Sequence, residues 1–165
     1  MSTLRARALI PAPLSPVWDF LIRPENMHLW GPFTWPVTGI DRPLQAGDRV
    51  TQYRRDFFRR YRQVVLIEEV IPYRALHLRD LSKSGRRLNA TGIISLEPVQ
   101  GQEATWVEET IFYSLGSGRA WQWLDHWLVN PLLQRIAAYK IGKALRRLQA
   151  IFAHPRATMH SLEGF

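Results

Sequence analysis

Apolar and basic residues alternate from Leu4 to Ile10, with Leu4, Ala6, Ala8 and Ile10 on one parity and Arg5, Arg7 and Leu9 on the other. This period of two predicts a strand with one buried face. The period then lengthens. Ser15-Pro16 reads as an N-cap followed by proline at the first helical position, and Val17, Trp18, Leu21 and Ile22 recur at helical spacing as far as Arg23-Pro24. Glu25 to Gly31 fits one further helical turn, after which Trp30-Gly-Pro-Phe33-Thr-Trp35-Pro makes an aromatic loop expected at an edge or mouth.

Strand-like segments follow at roughly 36–41, 48–56, 59–71, 73–82, 86–97 and 104–115, with Gly, Pro, Ser and Asp at the breaks. The gaps are too short for crossover helices, so neighbouring strands must join as antiparallel hairpins in a meander. Gly116-Ser-Gly118 opens a helical stretch from Arg119 to Ala153, about 50 Å long if unbroken. Its second half carries one stripe, Leu133, Ala137, Ile141, Leu145, Leu148 and Phe152, which is expected to pack on the sheet. Its first half has two, with Trp121, Leu124, Leu128 and Leu132 beside Trp123 and Trp127, more apolar surface than one packed face requires. Pro131 either kinks this helix or restarts it behind an Asn130 cap.

The predicted class is therefore α+β, a curved antiparallel sheet of about seven strands around a long C-terminal helix, with one domain over 1–153 and a tail over 154–165. Composition adds boundaries to this picture. At 165 residues there is room for a single core, and seven Trp must find places in it. Without cysteine there are no disulfides, thiolate nucleophiles or Cys-type zinc sites. No apolar run reaches the length of a membrane span and the N-terminus lacks a signal-peptide pattern, so a cytoplasmic protein is expected. The net charge of +8 suits an anionic partner, but 19 of the 22 basic residues are Arg and lie scattered from Arg5 to Arg156, which reads as compositional bias.

Local residues carry a family likeness. Ile10-Pro-Ala-Pro-Leu-Ser-Pro-Val-Trp-Asp-Phe-Leu21, Ala46-Gly-Asp-Arg-Val50, Ile71-Pro-Tyr-Arg-Ala-Leu76, Leu96-Glu-Pro98 through Ala104-Thr105, and the helix Leu132 to Leu148 together cover residues 4–152. In these stretches and in element order the chain resembles the START-like, or SRPBCC, superfamily of helix-grip proteins, in particular its polyketide cyclase/dehydrase-like and ligand-binding members. The resemblance implies a cavity between sheet and C-terminal helix that takes a lipid, polyketide, quinone or similar molecule. It transfers no catalytic residue, because the superfamily has no universal one.

Candidate chemistry depends on which strand parity faces that cavity. His77 and Arg79 share one parity, where they could serve as acid or base and as a carboxylate or enolate clamp; otherwise both face solvent. Glu108 and Glu109 must point to opposite faces, and Glu108, in step with Thr110 and Phe112, is a candidate general base or an ion-pair partner for an arginine. Asn89 and Thr91 could orient a ligand oxygen. With Trp30, Phe33, Trp121, Leu124, Trp127 and Leu128 these residues make up the candidate ligand site. The Tyr53 to Arg62 segment is expected to place Phe57, Phe58, Arg59 and Arg60 at a hairpin tip suited to an anionic membrane surface, unless a Phe turns inward as core.

Five histidines show no HExxH or i,i+4 pair, and Gly116-Ser-Gly118 lacks the third glycine of a dinucleotide fingerprint, so neither metal nor cofactor is expected. Nucleic acid is disfavoured by the lack of an RNP, KH or helix-turn-helix signature. The leading expectation is a monomer or homodimer that carries a hydrophobic small molecule. A cyclase/dehydrase-like enzyme and a membrane-surface binder are the alternatives.

Overall fold

The structure, a computed structural model, describes residues 2–31, 37, 39–55, 60–81, 88–115 and 130–154. Strand β1 (Ser2–Ile10) leads into helix α1 (Leu14–Leu21), a 3-10 turn (Pro24–Asn26) and the single-turn helix α2 (Met27–Trp30). Strands β2 (Arg49–Arg55), β3 (Arg60–Ile71), β4 (Ala75–Asp80), β5 (Leu88–Pro98) and β6 (Thr105–Leu115) follow, and helix α3 (Asn130–Ala153) closes the described chain.

The six strands form one antiparallel curved sheet in the order β1-β6-β5-β4-β3-β2. Strands β2 to β6 are the expected meander, and β1 returns to pair with the last of them. The segment 36–41, expected as a seventh strand, is not one among its described residues 37 and 39–41. Gly39 has a φ of +89°, which breaks an extended run, and the chain beyond it is instead tied to the helical layer by a Leu44 N–H bond to the Ile22 carbonyl.

Turn chemistry explains where the strands stop. Gly47, at φ +93°, precedes β2 and donates its N–H to the Ile67 carbonyl. Pro72-Tyr73 reverses the chain between β3 and β4, with Arg74 N–H bonded to the Ile71 carbonyl and Tyr73 held at φ +58°. The Tyr73 ring packs against Trp18 at 5.9 Å between centroids. Gly101, at φ +72°, allows the β5–β6 turn.

One face of the sheet is the core. Leu4, Ala6, Ala8 and Ile10 of β1, Val107 and Tyr113 of β6, Ile94 and Leu96 of β5, Leu76 of β4, Ile67 of β3 and Val50 of β2 pack with Val17, Trp18 and Leu21 of α1 and with Ile141, Ala144, Leu145 and Leu148 of α3. A bulge between Ile67 and Glu69 inserts Glu68, so Ile67 and Val70 both reach this face although they are three residues apart. Helix α3 lies across β1 and against α2, where Arg147 donates to the Gly31 carbonyl at 3.4 Å. Of the predicted stripe on α3, Ile141, Leu145 and Leu148 are buried, together with Ala144, and Phe152 is half-buried, with Lys143, Arg146 and Arg147 on the outside; the Leu133 and Ala137 side chains lie outside the described ones.

Candidate ligand-binding site

The ladder register fixes which side chains share the helix-covered face. Ala6 stands opposite Glu109 and Arg7 opposite Glu108, so Glu109 takes the core parity and Glu108 the outer one. The same register carries through the sheet: Thr110 faces Ile93, Ile93 faces His77, Thr91 faces Phe112, and Arg79 faces Thr91. His77, Arg79, Thr91, Glu108, Thr110 and Phe112 therefore lie together on the face turned away from α3. Asn89, opposite Ser114, holds the same register position.

On that outer face the charged members are paired locally. His77 Nδ1 lies 3.2 Å from Glu69, Arg79 lies 2.6 Å from the bulge residue Glu68, and Arg5 Nε lies 3.2 Å from Glu108. Thr110 donates to the same Glu108 oxygen at 3.4 Å, and Arg7 bridges to Glu97 while stacking over Trp106. The Glu108–arginine pairing expected as the alternative to a general base is thus present. The proton-transfer scheme required Glu108 or His77 on the helix-covered face, and neither is there. Phe33, Phe57, Phe58, Arg59, Trp121, Leu124, Trp127 and Leu128 lie outside the described residues. Arg60 begins β3 opposite Arg55.

The helix-covered face is largely apolar, with Glu109 of β6 sharing its parity, and it turns polar toward β2 and the far end of β4. There Gln52 of β2 and Gln63 of β3 stand directly opposite each other, 2% and 7% exposed, flanked along their strands by Val50 and Val65. Gln63 donates its amide to Asp80 at 2.6 Å, and Gln52 donates to the Met27 sulfur at 3.7 Å from α2 above. The side-chain carbonyl oxygens of both glutamines are buried without a partner, as is the indole N–H of Trp30, one turn along α2 from Met27. A buried polar atom left unpaired costs about 1–3 kcal/mol. The two glutamine oxygens, on directly opposed residues of neighbouring strands, mark a place where stability is given up for something other than packing.

Of the residues singled out from sequence, Trp30 lies on α2, the helix whose Met27 touches Gln52. Gln52 and Gln63 are not among the residues the sequence singles out. Gln52 does carry a signal, since it follows Val50 at the same parity, but Val64-Val-Leu-Ile67 is apolar at every position and hides the alternation that would have put Gln63 inside. Among the described residues no group of three or more His, Asp or Glu side chains is arranged to hold a metal ion.

A curved antiparallel sheet closed by a C-terminal helix, with the first helices over one end, defines a helix-grip-like fold. The same fold occurs in solved bacterial proteins. A protein from Thermus thermophilus matches with a TM-score of 0.71 at 16% identity over 94% of this chain and 99% of its own. A conserved protein from Geobacillus kaustophilus gives 0.69 at 16% identity, over 92% and 95%, and a Mycobacterium smegmatis protein 0.64 at 20% identity, over 93% and 92%. These likenesses establish the fold. No family model matches the chain, and no curated protein is significantly similar to it in sequence.

Proposed function

We propose that the protein is a START-like helix-grip domain that binds and carries a hydrophobic small molecule between the core face of the sheet and α3. The observation that carries this reading is the corner formed by Gln52 and Gln63, where buried carbonyl oxygens without partners interrupt an apolar face. Ligand sites of this kind are mostly apolar with a few placed polar groups, which orient the molecule they hold. Motif order along residues 4–152 and the shared fold support the family assignment.

Carrying is preferred to the catalysis expected of His77 and Glu108, because both engage partners, Glu69 and Arg5, on the opposite face. Native mass spectrometry of gently purified protein, followed by organic extraction, tests the reading. The expected result is a discrete added mass that extraction removes, and restored uptake of Nile red by the stripped protein. A bare chain that also fails to take up the dye contradicts it.

A further inference from the structure

We infer that the Gln52–Gln63–Asp80 corner is a head-group site that selects lipophiles ending in an uncharged hydroxyl, an inference that rests on the proposed binding role and adds the ligand's chemistry. The orientation of both amides is dictated by their neighbours. A carboxylate only accepts when ionised, so the atom of Gln63 that sits 2.6 Å from Asp80 must be the amide nitrogen, leaving the carbonyl oxygen turned away from it. A thioether is a weak acceptor, so the Gln52 nitrogen belongs on Met27 and its oxygen is likewise left over. Cross-strand partners have Cβ atoms about 4.5–5.5 Å apart, so the two side chains that carry the unpaired oxygens start side by side on the same face.

That corner presents acceptors beside a carboxylate. A ligand whose polar end only accepts, such as a ketone, an ester or an ionised fatty acid, would set oxygen against oxygen and leave the carbonyls unpaired. A hydroxyl donates to a glutamine oxygen and keeps lone pairs free to accept from a second donor. Hydroxyl, with both functions on one atom and no charge to desolvate, therefore fits the set better than a carboxylate or a ketone. Neither the fold nor the apolar lining could make this choice, since a ten-carbon chain packs equally well with any head.

Competition against Nile red with 1-decanol, 2-decanone and decanoate, on the stripped full-length protein, reads the selectivity. Decanol is expected to bind about tenfold more tightly than decanone, the scale of one matched hydrogen bond in a buried site, with decanoate weakest. In Gln52→Met the preference for decanol should shrink to about threefold or less while decanone affinity holds, and Gln63→Met should act in the same sense if the first variant folds poorly. Equal or tighter binding of decanone or decanoate, or a decanol preference untouched by both variants, overturns the head-group assignment and leaves the carrier reading standing. Failure of dye and all three ligands to bind overturns both.

Discussion

Gln52 is buried by its neighbours, and its carbonyl is unpaired in the absence of ligand, so its replacement by an apolar side chain of similar volume should relieve a penalty. Gln52→Met is expected to stabilise the ligand-free protein by about 1 kcal/mol, read as a higher urea midpoint at unchanged m-value. A loss of stability would mean that the amide is satisfied in solution. Asp48 is the opposite case. It accepts both Arg42 nitrogens at 2.8 and 2.9 Å and the Gln45 backbone N–H, and the Arg42 hydrogen bonds hold its carboxyl below the ordinary value. A lowered folded-state pKa stabilises the fold above the unfolded value near 3.8, and that contribution is lost as pH falls through the lower folded value. Asp48→Asn should therefore lower stability at pH 7 and flatten the acid limb of the stability profile below about pH 4. A limb as steep as wild type would show that this pair does not drive it. The sequence showed that Glu108 and Glu109 must part company, but the choice of face belongs to the β1–β6 register, which no local residue pattern contains.

Helix α3 illustrates what period alone reveals. Ile141, Leu145 and Leu148 are buried as their spacing requires, with Leu148 fully enclosed, whereas Tyr139 is 63% exposed on the other side. Leu148→Ala should cost about 2–5 kcal/mol by thermal or urea unfolding, and Tyr139→Ala less than about 0.5 kcal/mol. Comparable effects at the two positions would contradict the packing of this helix. At the exit of β1, Thr105 Oγ donates to the Ala12 carbonyl at 2.9 Å in a fully buried setting, joining β6 to the lead-in of α1. Thr105→Val should lose about 1–2 kcal/mol by removing the donor at nearly constant volume. Boundaries were legible at Gly47, Pro72 and Pro98, which sit at or beside strand ends, but not at Ser15-Pro16: α1 begins at Leu14 with Pro13 at the cap, so Pro16 is its third residue. Two further features were not. The segment 36–41 has strand-like composition, but the chain bends at Gly39 and is tied to the helical layer further on, at Leu44, and the Glu68 bulge changes parity within a run whose apolar residues are continuous.

At the scale of the whole molecule, the fold was legible because hairpin spacing admits few topologies, and the family likeness narrowed them to one. The closing of β1 against β6 follows from that topology, since it seals the edge of the meander's last strand. The site was legible only in outline. Apolar surface in excess of one packed face is what the sequence offers toward a ligand, whereas the proposed polar end of the site draws on two glutamines and an aspartate on three different strands, whose convergence depends on register. No helix among the described residues is long and apolar enough to cross a membrane. The account turns on which face of the sheet meets the ligand. Amide chemical-shift mapping of stripped, isotope-labelled protein titrated with 1-decanol measures that directly. Shifts should cluster at Gln52, Gln63, Asp80 and the neighbouring core-face positions of β2, β3 and α2; perturbation confined to the His77, Arg79 and Glu108 face, or none at saturating ligand, would contradict it.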